Sequence, residues 1–147
     1  MFSIDTNVLV YAHNKDSEFN KKAVDFLEKV LNDRDEKGNL PVCLTTQVLI
    51  EFINVITRHT LERPVSIPEA IQIINDYSAV GIKILNQRKT QLQTFLWLLS
   101  SVKSRKKIFD VALAATLKDH NITGLYTVNV DDFKEFDFLE IVNPLEL

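Results

Sequence analysis

Phe2-Ser3-Ile4-Asp5-Thr6-Asn7-Val8-Leu9-Val10 is an apolar, partly β-branched run broken by a carboxylate, a hydroxyl and an amide. Residues 2–5 and 7–10 read as a first strand and its exit. In an α/β sheet, ligands gather where strands end and the next connection leaves, so Asp5-Thr6-Asn7 marks a candidate site. The local alternative is an Asx-turn or N-cap, in which Asp5 or Asn7 only satisfies backbone N–H groups.

Outward from this stretch, helical and strand patterns alternate, which predicts a parallel sheet covered by helices. From Asp16 the positions Phe19, Ala23, Phe26, Leu27, Val30 and Leu31 follow helical spacing, and residues 32–37 form a polar loop or fraying helix end closed by Gly38 and Pro41. Val42-Cys43-Leu44 is a short strand, with Thr45 or Thr46 capping a helix that carries Val48, Leu49, Phe52, Val55 and Ile56. Ser66-Ile67-Pro68-Glu69 has capping-box spacing and opens a helix to about residue 78. Ile82-Lys83-Ile84-Leu85 alternates as a strand; Leu92, Phe95, Leu96 and Leu99 mark the next helix, and another opens near Asp110. Strands follow at residues 124–128 and 139–142.

At 147 residues, 46% hydrophobic and 25% charged, the chain is expected to form one domain over 1–147 with a single core. The lone Cys43 excludes an intramolecular disulfide, fits a reducing compartment and reads as a small buried hydrophobe. No apolar run reaches the roughly 20 residues that span a bilayer, so a cytoplasmic location is expected. A net charge of −3 gives no global attraction for nucleic acid, so any such binding must rest on local charge, with Lys103-Ser104-Arg105-Lys106-Lys107 as the candidate. His13, His59 and His120 match no metal-ligand pair and are expected at the surface or at helix ends. The three isolated glycines give no phosphate loop, and no nucleophile elbow is present.

Four acids stand among apolar neighbours: Asp5 after Ile4, Glu51 between Ile50 and Phe52, Asp110 between Phe109 and Val111, and Asp132 before Phe133. An ionised carboxylate taken from water without a partner costs several kcal/mol. Taken alone, Glu51 is better explained by an exposed helix face, and Asp110 by the helix dipole. Asp5 closes the first strand, while Asn129, Asp131 and Asp132 follow the strand ending at Thr127, so a parallel sheet carries both groups to one edge. Were the acids to converge, pairs about 4 Å apart would repel by about 4 kcal/mol at an effective dielectric of about 20. A divalent cation relieves that repulsion, and all-oxygen donors select Mg²⁺ or Mn²⁺ over zinc.

In order and spacing, residues 4–9, Glu51, residues 110–116 and residues 127–133 resemble the PIN-domain nucleases, and among them the short VapC-type toxins of prokaryotic toxin–antitoxin pairs. The resemblance implies a three-layer α/β/α fold with a central, mainly parallel sheet. It also implies Mg²⁺- or Mn²⁺-dependent hydrolysis of RNA phosphodiesters to 5′-phosphate and 3′-hydroxyl ends. Asp5, Glu51, Asp110 and Asp132 become the metal-binding and catalytic acids, with Asp131 the alternative for the fourth. Thr6, Asn7, Thr127 and Asn129 support them or touch substrate, and Arg105, Lys106 and Lys107 hold the RNA backbone. Implied partners are RNA, a cognate antitoxin whose tail occupies the active-site groove, and a second copy in a homodimer. Phe52, Val55 and Ile56 or Ile71 and Ile74 either supply such contacts or fill the core. A housekeeping PIN nuclease, an inactive PIN-like scaffold and an aspartyl-phosphate enzyme are the competing readings; the last lacks the second carboxylate two residues after Asp5.

Overall fold

The computed structural model describes residues 1–103, 105 and 108–147; Ser104 and two expected RNA contacts, Lys106 and Lys107, lie outside the described residues. Strands β1 (Phe2–Ile4), β2 (Val42–Thr45), β3 (Lys83–Leu85), β4 (Gly124–Tyr126) and β5 (Glu140–Val142) form one sheet in the order β3-β2-β1-β4-β5. Every neighbouring pair is parallel. The chain builds outward from β1 through β2 to β3, then returns to place β4 on the other side of β1. Helices α1 (Thr6–His13), α2 (Asn20–Asn32), α3 (Thr46–Ile56) and α4 (Ile67–Val80) connect the first half, and α5 (Gln91–Leu99) and α6 (Ile108–Asp119) the return. Right-handed crossovers put the first four on one face and the last two on the other, giving the expected three layers. Packing of α1 on α2 and α3, of α3 on α4 and of α5 on α6 agrees with that division.

Residues 7–10 are helix, not the extended exit that the sequence suggests. Asp5 caps α1, and Val8, Leu9 and Val10 are buried along it. A four-residue apolar run cannot distinguish a buried helix from a strand. The second helix starts at Asn20 rather than Asp16 because the Asn20 amide donates to the carbonyls of Tyr11 (2.9 Å) and Ala12 (3.1 Å), closing the end of α1. Ser66 caps α4 as expected, accepting from the Glu69 N–H at 3.3 Å, and Gly81 ends that helix with φ 93°, a left-handed conformation open to glycine.

The core runs through the layers, with Phe52, Phe133, Leu44, Leu117 and Leu125 fully enclosed. Phe52 and Ile56 belong to it and Val55 and Ile74 pack against it, so only Ile71 of the group weighed for partner contacts is exposed. On α5, Leu98 is buried and Phe95 and Leu99 pack against the core as their spacing suggests, while Leu92 and Leu96 point outward at 66% and 53% exposure. Cys43 is buried as expected, its thiol pushed up to about 11 by burial. His13 ends α1, but its ring is turned inward: Nε2 lies 2.7 Å from the Tyr77 hydroxyl and the ring meets Phe52 edge-on, so burial lowers its pKa.

Gly124 pairs with Phe2 across β1 and β4, and a Cβ built there would stand 2.4 Å from the Phe2 ring. The same ring lies 4.7 Å from that of Tyr126, centroid to centroid. Gly124→Ala is therefore expected to drive the Phe2 ring off the sheet and cost about 1–3 kcal/mol, measured by denaturant unfolding. An unchanged midpoint would show that the ring is free to move.

Candidate active site

Asp5 leaves the carboxyl end of β1 beside β4, where the strand order reverses, the position at which open α/β sheets form clefts. Its N–H donates to the Tyr126 carbonyl at 2.9 Å, extending the ladder by one bond and fixing the backbone. Asp5 is 8% exposed. Oδ1 accepts from the Thr6 N–H at 2.7 Å, and Oδ2 accepts from the Thr127 hydroxyl at 2.7 Å. Asp5 is thus a helix cap and also part of a tertiary cluster: the local and the functional reading share one side chain.

Thr127, fully buried one residue beyond β4, is the hub. While donating to Asp5, its Oγ1 accepts from the Asn7 amide at 3.3 Å and the Asn129 N–H at 3.1 Å. Asn7 Oδ1 in turn accepts from the Val128 N–H at 3.4 Å. Asn129 joins through its backbone, and its side chain is exposed.

On the other side, the Thr6 hydroxyl donates to Glu51 Oε2 at 3.0 Å, so Glu51 faces the end of β1 rather than open solvent. Gln47, one helical turn earlier, donates from Nε2 to Glu51 Oε1 at 3.1 Å and to the Phe109 carbonyl at 3.0 Å. That bond ties α3 to the first turn of α6, which carries Asp110. Beside it a cavity of about 500 Å³ opens, lined by Gln47, Ile50, Glu51, Asn86 and Phe109 among others. An apolar cavity of about 360 Å³ between α2 and α4 lies apart from the acids and contributes none of these groups.

Burial raises the pKa of Asp5; the Thr127 and Thr6 hydrogen bonds lower it, and the charges of Glu51 and Asp132 raise it further. Asp132, half-buried in the 3-10 turn Val130–Asp132, is therefore close enough to act on Asp5. Asp131 is exposed and pairs with Lys134. Among the described residues no three His, Cys, Asp or Glu side chains are drawn onto one point where they would hold a metal ion. Glu51 and Asp132 act on Asp5 through their charges, and Asp110 stands in the first turn of α6, which Gln47 ties to α3 through the Phe109 carbonyl. Arg105 is exposed, five residues before Asp110.

Gln47 escaped the sequence reading. Its signal is the spacing of four from Glu51, which sets both on one helix face.

A model described as "PIN domain" matches residues 3–139. The chain is 29% identical to Ribonuclease VapC24 of Mycobacterium tuberculosis over 99% of its own length and 97% of that protein's. Its fold is similar to that of the M. tuberculosis toxin VapC20, described as cleaving the sarcin–ricin loop, with a TM-score of 0.68 at 13% identity, covering 92% of this chain and 95% of that one. It is likewise similar to a toxin–antitoxin complex from Klebsiella pneumoniae, with a TM-score of 0.64 at 17% identity, covering 98% of each chain. With the matched stretch running from β1 to the residue before β5, and so across the whole acidic basin, the chain belongs to the PIN domain family.

Proposed function

We propose that residues 1–147 form one metal-dependent endoribonuclease domain and that it is the toxin of a toxin–antitoxin pair. The observation that carries this reading is the buried Asp5 carboxylate at the switch point, oriented by Thr6 and Thr127 and pressed by the charges of Glu51 and Asp132. The names of the relatives, a ribonuclease of nearly the same length and a toxin–antitoxin complex, point the same way.

The donor set fits Mg²⁺ or Mn²⁺: it is all oxygen, and a buried carboxylate repelled by its neighbours gains from a divalent cation. Asp5, Glu51, Asp110 and Asp132 would hold the ion, Asp132 being preferred to the exposed Asp131. When bound, it supplies acidity to a hydrolytic water and compensates charge on the phosphate. Thr6 and Thr127 fix the carboxylate rotamers by donating to Glu51 and Asp5, and Asn7 holds Thr127 in that orientation. Arg105, with Lys106 and Lys107, steadies the RNA backbone. Proposed partners are RNA, a cognate antitoxin and a second copy of the chain; Leu92, Leu96 and Trp97, exposed on α5, support the last.

Incubation of the purified chain with cellular RNA is expected to give fragments with 5′-phosphate ends in Mg²⁺ or Mn²⁺ and none in EDTA. Cleavage that persists in EDTA would rule the reading out.

A further inference from the structure

The amide nitrogen of Gln47 faces two acceptors, Glu51 Oε1 at 3.1 Å and the Phe109 carbonyl at 3.0 Å. Turning the amide over would set its oxygen against both, so the orientation is fixed by chemistry. One nitrogen has two hydrogens, and both are committed. Gln47 is half-buried at the mouth of the cavity beside Glu51, and its other end is anchored in the first turn of α3, which Thr45 caps. The bond joins α3 directly to Phe109, the α6 residue adjoining Asp110. The acids come from elements 59 positions apart in sequence, and their relative placement depends on such a tie.

We propose that Gln47 is a positioning residue of the acidic site: its amide holds the Glu51 carboxylate against the first turn of α6 and so sets the spacing between Glu51 and Asp110. The role deepens the metal-dependent reading above and rests on it. Gln47 touches neither substrate nor ion. It fixes the Glu51 rotamer by donating to one carboxylate oxygen and so keeps the acid turned toward the first turn of α6. Partners of this kind are commonly worth 10- to 100-fold in metal affinity.

The test is the affinity of the full chain for Mn²⁺, read from the electron paramagnetic resonance signal of the free ion, with no RNA present. Gln47→Met keeps the length of the side chain and removes both donors; Gln47→Ala serves if Met disturbs the fold, as judged by circular dichroism. Gln91→Met is the control. Gln91 also bonds α6, donating to the Ala112 carbonyl at 2.9 Å and accepting from Thr116 at 3.0 Å, but it meets no acid. The expected result is Mn²⁺ binding weakened about tenfold or more by Gln47→Met and changed less than twofold by Gln91→Met. Equal losses in both would make Gln47 a mere fastening of α6, and an unchanged affinity in Gln47→Met would remove the role altogether; either overturns the proposal. Absence of Mn²⁺ binding by the unsubstituted chain would instead strike the metal-dependent reading itself, and the positioning role with it.

Discussion

Asp5→Asn is expected to lower RNA cleavage by about 10³-fold or more, the scale of losing one preorganised charged group that works in a unit, while making the fold more stable. The substitution keeps the shape of the side chain. Its oxygen still accepts from the Thr6 N–H, but Thr127 Oγ1 already accepts from Asn7 and Asn129, so the bond between Thr127 and residue 5 is lost and its roughly 1 kcal/mol subtracts from the gain. What disappears is a carboxylate whose pKa lies above the ordinary 3.8 because burial, Glu51 and Asp132 oppose its charge. The sign follows from proton counting. Between 3.8 and the raised folded value, the native chain keeps a proton that the unfolded chain has released, so stability falls as pH rises through that window. Above it the deficit is complete. The gain in Asp5→Asn should therefore be greatest near neutral pH and vanish below about pH 3.8. Relief of about 0.5–2 kcal/mol raises the melting temperature by about 1–8 °C. A variant that loses both activity and stability would place Asp5 in a purely structural role.

Phe52→Ala is expected to have the largest effect on folding. Phe52 is completely buried, sits next to Glu51 on α3 and receives the edge of the His13 ring at 5.5 Å, so it joins α1, α3 and the His13–Tyr77 contact. Truncation leaves a cavity that fixed neighbours cannot fill, at a cost of about 3–5 kcal/mol against a total stability of about 5–15 kcal/mol. Thermal unfolding should fall by about 6–20 °C. Cleavage per folded molecule should fall as well, because α3 carries Glu51 and Gln47. A loss under about 1 kcal/mol would mean that the core collapses into the space.

The sequence made the sheet legible because parallel strands buried on both faces announce themselves as short apolar runs between helical periods. Asp5 and Glu51 could be picked out for a related reason: a carboxylate beside core residues needs a partner, and each has one in Thr127 and Thr6. What stayed hidden depends on contacts through space. The helix at residues 6–13 follows from the Asp5 cap, which outweighs the strand character of Val8, Leu9 and Val10. The inward turn of His13 depends on Tyr77, 64 positions away. The outward turn of Leu92 and Leu96, two of the four residues that mark α5, goes with Gln91, Thr90 and Thr94 bonding to α6, polar contacts that apolar spacing does not reveal. Gln47 matters only because α6 ends its approach at Phe109, which no local pattern reveals.

Thermal unfolding in rising Mn²⁺ tests most directly whether the acids form one cation site. At 100 times the dissociation constant, an ion that binds only the folded chain adds about 2.7 kcal/mol. The unsubstituted protein is therefore expected to melt about 5–11 °C higher, while Asp5→Asn, more stable without metal, should not move. Equal shifts in both proteins, or none in the unsubstituted one, would contradict the account.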